Sequence, residues 1–306
     1  MEQPRSLTIA AIGDIHEQWE AADADALLAL KVDLALFVGD FGNEAVDIVR
    51  QVAAVPLPKA VILGNHDAHY SASRRGRKRC PYDREQEDRV AQQLSLLGDC
   101  HVGYGQLDLP RFHLSVVGGR PYSWGGPKWR NADFYLTHYG VSDFTSSADK
   151  IMAAVDRASC ETLLFLGHNG PFGLGEQPHD PCGKDWQSPG GDYGDPDFAE
   201  AIAYARAQGR QIPLVTFGHM HHRLKTDPQR LRTRLVVDQL GTVYLNAANV
   251  PRIRDTAAGQ QRSFFLISLT AGQIDCVRLV WVNPHGDRIS EEVLFKRAAT
   301  SLNLLA

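Results

Sequence analysis

The sequence predicts an α/β fold centred on a largely parallel sheet, with further strands supplied by the C-terminal third. Two observations carry this. Apolar β runs alternate with helically spaced segments as far as residue 63, and after about residue 233 the chain turns to strand pairs joined at glycines. Alternation of this kind requires crossover helices, which set successive strands parallel.

Taken in order, "LTIAAI" (7 to 12) is a buried β run, "EQWEAADADALLALK" (17 to 31) has helical spacing and "DLALFV" (33 to 38) is a second buried strand. A helix is expected from about Glu44 to Ala54, then a third strand over 60 to 63. Further on come "TLLFLG" (162 to 167), a helix after "GDPDF" with Asp195 as N-cap and Pro196 at its first position, and "PLVTFG" (213 to 218). The runs "RLVVDQLGTVYLNAA" and "SFFLISLTAGQIDCVRLVWV" read as strand pairs turning at Gly241 and Gly272. No repeat, low-complexity tract or linker breaks the pattern, so a single domain over residues 1 to 306 is the simplest organisation.

A chain of 306 residues that is 43% hydrophobic can build a large core. Its net charge of −4 creates no global field for nucleic acid or an anionic membrane, so such partners are not expected. The apolar stretch behind Met1 to Arg5 is too short for a signal-peptide core, and no run is long enough to span a bilayer. A cytoplasmic location is expected, or the plastid stroma if a transit peptide has been removed. Five scattered cysteines without a C-x-x-C pair read as reduced thiols.

The chemistry lies at the strand ends. The apolar runs stop at Gly13-Asp14-Ile15-His16, Gly39-Asp40, Gly64-Asn65-His66-Asp67, Gly167-His168-Asn169 and Gly218-His219-Met220-His221. Each ending alone could be a turn with solvated polar groups or a helix cap. Together they place a glycine and a metal-capable side chain at equivalent positions of successive strands. The carboxyl ends of such strands are where open α/β sheets bind ligands, and a mixed His, Asp and Asn set suits borderline divalent ions.

In this order the five endings resemble the motifs of the calcineurin-like metallophosphoesterases over residues 12 to about 222. The stretches "GDFGNE", "LGHNGPFGLG" and "GGDYGDPDF" are similar to a cyanobacterial and plastid-associated branch. The resemblance implies a four-layer αββα fold, a two-sheet β-sandwich flanked by helices, with strands 233 to 285 completing the second sheet. It also implies a dinuclear centre of Mn, Fe, Zn or Co. Asp14, His16 and His221 would hold one ion, Asn65, His168 and His219 the other, and Asp40 would bridge them. A hydroxide shared by the ions would attack a phosphomonoester or phosphodiester. His66 would protonate the leaving oxygen, with Asp67 orienting it.

Departures from the family pattern narrow the class. Phe41-Gly42-Asn43 and Asp67 stand where phosphoprotein phosphatases carry an Arg and a Glu, and neither Phe41 nor Gly42 offers the tyrosine ligand of purple acid phosphatases. Asn43 replaces an Asp common in related hydrolases. A small phosphorylated substrate, a nucleotide among the options, is therefore expected. The alternatives are a nuclease of the same superfamily and a non-catalytic metal-binding scaffold. For substrate contacts, His69 and Arg120 are candidates, Arg120 as a phosphate fork. The basic run "RRGRKR" (74 to 79) is offset by "DREQED" (83 to 88), which favours a solvated segment. The Gly-rich stretch 179 to 195 has the profile of a substrate-facing loop, and His138 reads as a structural imidazole.

Overall fold

Apolar residues recur without interruption in the central strands because both faces of each are buried, which requires a layer on either side. The computed structural model describes residues 6 to 298 and shows how this is met; Met1 to Arg5 lie outside them. The elements run β1 (Leu7–Ile12), α1 (Ala21–Ala29), β2 (Leu34–Phe37), α2 (Val46–Ala53), β3 (Lys59–Val61), α3 (Arg74–Arg77), α4 (Arg89–Leu97), β4 (Gln106–Leu109), β5 (Leu114–Gly118), α5 (Ala132–Tyr139) and α6 (Phe144–Arg157). They continue with β6 (Thr162–Leu166), α7 (Pro196–Ala207), β7 (Gln211–Phe217), β8 (Leu235–Val237), β9 (Val243–Asn246), β10 (Ile253–Thr256), β11 (Gly259–Thr270), β12 (Gln273–Val282) and β13 (Arg288–Lys296).

Two mixed sheets result. The first runs β13-β12-β11-β1-β2-β3 with β10 on β11, and the second runs β4-β5-β6-β7-β9-β8. Strands β1, β2 and β3 are parallel, as are β5, β6, β7 and β9. Alternate side chains of β1 divide between two cores. Ile9 and Ala11 meet Leu164, Leu214 and Leu245 between the sheets, whereas Ala10 and Ile12 belong with Leu27, Val49 and Val52 under the helices of the first sheet. Helices α6 and α7 cover the second sheet through Ile151, Val155, Phe198 and Ala205. No described helix is long and apolar enough to cross a membrane.

One expectation is corrected. Only β8 and β9 of the C-terminal strands complete the second sheet. From β10 onward the chain joins the first, where β11 pairs antiparallel with β1 in the register Leu7↔Leu269. Residues Arg262 to Leu269 of β11 are almost all buried, a pattern that needs neighbours on both edges and both faces. Asp195 does occupy the N-cap of α7 with Pro196 following, but its side chain makes no capping bond because other groups take it.

Candidate metal centre

Each of the five strand ends turns sharply, and several do so through strained backbone. Asp14, His16, Asp40 and His219 all have left-handed φ values, at 36°, 44°, 53° and 67°, a conformation that costs energy for residues with a side chain and concentrates at functional sites. Glycine is needed where the turns pass close to those side chains. A Cβ on Gly64 would lie 2.3 Å from Asp40 Oδ1 and 2.5 Å from His168 Cε1, and one on Gly218 would lie 2.3 Å from Asp14 Oδ1.

The turns bring the predicted ligand residues together. Asp14, His16 and His221 form one compact donor group, and Asp40, His168 and His219 form a second. In the first, His16 Nε2 and His221 Nε2 are 3.1 Å apart, and Asp14 Oδ2 is 3.2 Å from His221 Nε2. In the second, His168 Nδ1 donates to the Val38 carbonyl at 2.8 Å, which leaves the Nε2 lone pair facing Asn65 Oδ1 at 3.0 Å and Asp40 Oδ1 at 3.4 Å. Asp40 lies between the groups, its Oδ2 4.0 Å from His16 Nε2. Asp14 is aimed by the His219 N–H and Asp40 by the His66 N–H.

These donors fit divalent cations. His168 Nε2 converges with the oxygens of Asn65 and Asp40 at 3.0 and 3.4 Å, and the buried Asp14 Oδ2 meets His221 Nε2 at 3.2 Å. Buried acceptors arranged this way are costly unless a cation satisfies them. Burial pushes the His219 imidazole down to about 3, helped by His168, so it is a neutral donor at ordinary pH. Burial would raise Asp14, but the surrounding histidines, His221 foremost, hold it below the usual carboxylate range.

His66 borders the centre, grouped with His16 and Asp40. Its Nδ1 bonds Asn43 Oδ1 at 2.6 Å, so its Nε2 is the atom left for chemistry. This corrects the expected role of Asp67. Both Asp67 oxygens accept backbone N–H groups, from Gly64 at 2.6 Å, Phe41 at 2.8 Å and Asp40 at 3.0 Å. Burial, with the neighbouring Asp40 charge, nevertheless raises the Asp67 carboxyl well above its ordinary value. Asp67 clamps the ends of β2 and β3 together, and Asn43 is the residue that orients His66.

The centre opens into a cavity of about 450 Å³ lined by Asp40, Asn65, His66, His219 and His221, and by Trp124, Arg130, Asp185, Trp186, Tyr193, Met220, Arg223, Lys225 and Arg232. Three of these come from the 179 to 195 stretch, which contains no helix or strand. Neither expected substrate residue reaches the cavity lining. Arg120 is 3% exposed and committed to Asp195 at 2.7 Å and Asp197 at 2.9 Å, so it cannot act as a phosphate fork. His69 stacks on the His66 ring at 5.6 Å. The 74 to 79 run also lies outside the lining, and His138 packs on Phe134. The cations that do line the cavity are marked in the sequence only by position, Arg223 and Lys225 standing two and four residues beyond the His219-x-His221 motif. Arg232 joins the wall to the centre. Its guanidinium donates to the carbonyls of His221, Pro178, Asp180 and Gly183 at 3.0, 2.9, 2.7 and 2.8 Å and pairs with Asp185 at 3.3 Å.

Comparison with known proteins adds a family. A family model described as calcineurin-like phosphoesterase matches residues 7–223. No curated protein matches the chain. One solved structure, 11% identical, aligns over 89% of this chain and 98% of its own with a TM-score of 0.51. Protein TT1561 of Thermus thermophilus is 12% identical over 87% of this chain and 99% of its own, with a TM-score of 0.49. A dimetal phosphatase from Danio rerio is 12% identical over 97% and 100%, with a TM-score of 0.46. The first of these likenesses speaks for the fold alone.

Proposed function

Because the chain belongs to the calcineurin-like phosphoesterase family, we propose that it uses two divalent ions to hydrolyse a small phosphomonoester or phosphodiester. The observation that carries this reading is the meeting of two separate donor groups at one carboxylate, Asp40. Asp14, His16 and His221 would hold one ion, Asn65, His168 and His219 the other, and Asp40 would serve both; Mn, Fe, Zn and Co all suit these donors. Ions so held supply Lewis acidity toward the phosphoryl oxygens and an activated water near neutral pH. With Nδ1–H donating to Asn43 Oδ1, His66 would act as the imidazolium, passing its Nε2 proton to the departing oxygen and becoming neutral.

A small ester is favoured over a nucleic-acid strand because the basic run at 74 to 79 is absent from the cavity wall. The test is turnover of p-nitrophenyl phosphate and bis-p-nitrophenyl phosphate by metal-stripped protein reloaded with manganese. Turnover that Asp40→Asn lacks is expected, with the preferred ester sorting monoesterase from diesterase. Two bound ions without turnover on any phosphoester would refute it.

A further inference from the structure

Resting on the phosphoesterase reading, we propose that the cavity selects a nucleotide bearing a second phosphate besides the one attacked, with its base against Trp186 and Tyr193. The aromatic side of the argument is the wall. Trp186 is 39% exposed although it lines the cavity, and it meets Tyr193 edge to face at 4.7 Å. Neighbours hold both rings. Lys225 Nζ lies 5.4 Å from the Trp186 ring centroid, and Arg130 Nη2 donates to the Tyr193 hydroxyl at 2.8 Å. A ring pair kept in place but left open to solvent is a stacking surface, and a base stacked on an aromatic side chain contributes roughly 1 to 3 kcal/mol.

The charged side of the argument is an imbalance. Arg130, Arg223 and Lys225 line the cavity, and among the described residues none of their side chains forms an ion pair. Of the two carboxylates on the wall, Asp40 belongs to the centre, while Asp185 already serves Arg232 and the Lys225 N–H. Two divalent ions against Asp14 and Asp40 leave a net charge that one phosphate dianion neutralises. The three remaining cations stand exposed on the wall, where further negative charge on the same ligand would meet them. A volume of about 450 Å³ fits a small molecule rather than a strand. Arg232 fixes this wall to the His221 loop before any ligand arrives, so little ordering is lost on binding.

Calorimetric titration of the full manganese-loaded chain carrying His66→Asn, which is expected to keep both ions and lose turnover, with ADP, AMP, adenosine, pyrophosphate and a random oligonucleotide tests this by binding rather than activity. ADP should bind about ten- to a hundredfold more tightly than AMP, as charge-assisted bonds to one more phosphate imply, and more tightly than pyrophosphate or adenosine. Trp186→Ala should weaken ADP at least about fivefold while Trp186→Phe preserves most of the affinity. An Arg223→Gln, Lys225→Gln double variant should bring ADP down to the AMP level. Equal binding of ADP and AMP, or an oligonucleotide bound more tightly than ADP, would overturn the proposal. Turnover of p-nitrophenyl phosphate by the reloaded wild type decides the phosphoesterase reading separately: turnover with no preference for ADP sinks this inference alone, and preferential ADP binding without turnover of any phosphoester sinks the other.

Discussion

Asp67 and His66 are adjacent, yet they act on different problems. The Asp67 carboxylate satisfies three N–H groups that the sharp ends of β2 and β3 leave without strand partners. His66 is free of that duty, because Asn43 holds its Nδ1 and its ring borders the cavity. The separation yields a residue-level expectation. His66→Asn should still take up two ions by elemental analysis, while turnover of p-nitrophenyl phosphate falls roughly a hundred- to ten-thousandfold, the usual worth of a positioned general acid. Loss of both ions in that variant would make His66 a ligand instead.

At the scale of elements, the donors sit on strand ends braced by two sheets, whereas the wall of the cavity is an irregular loop that needs fastening. Arg232 does this with one guanidinium. Arg120 has the same kind of role at the far end of the loop, since its bonds to Asp195 and Asp197 draw the start of α7 toward the end of β5. Arg232→Ala should therefore raise KM with kcat little changed and should expose the 178 to 186 stretch to limited proteolysis. Arg232→Lys should rescue little, because an ammonium lacks the planar fork that reaches several carbonyls at once. A wild-type KM and an unaltered digestion pattern in the alanine variant would remove Arg232 from this role.

For the whole molecule, stability should carry an acid dependence remote from the metal centre. His101 lies outside both donor groups, burial pushes its imidazole down to about 4, and its Nε2 has no hydrogen-bond partner. The unfolded chain binds a proton near pH 6.5 that the folded chain refuses until about pH 4, so stability is fully present above that window and falls as pH drops through it. His101→Gln should shrink the difference in urea midpoint between pH 7.5 and pH 5; an unchanged difference would mean that other groups set the acid limit.

Much of this architecture was legible in the sequence because it follows local rules. Apolar runs ending in Gly and a metal-capable side chain mark β1, β2, β3, β6 and β7, and the donors they carry do meet in space. Less was legible where a decision depends on distant partners. Which sheet β11 joins depends on the open edge of β1. Whether Arg120 is a phosphate fork or a buried brace depends on Asp195 and Asp197, which lie far along the chain. The cavity wall was least legible, since its aromatic and basic residues come from irregular segments without periodicity.

The central claim is that two ions share Asp40. A crystal of manganese-reloaded protein, with an anomalous difference map calculated at the manganese edge, tests it most directly. The account predicts two peaks roughly 3.5 to 4 Å apart, the spacing of two-metal sites, one within reach of Asp14, His16 and His221, the other of Asn65, His168 and His219, with Asp40 between them. A single peak, or two peaks that leave Asp40 uncoordinated, would contradict it.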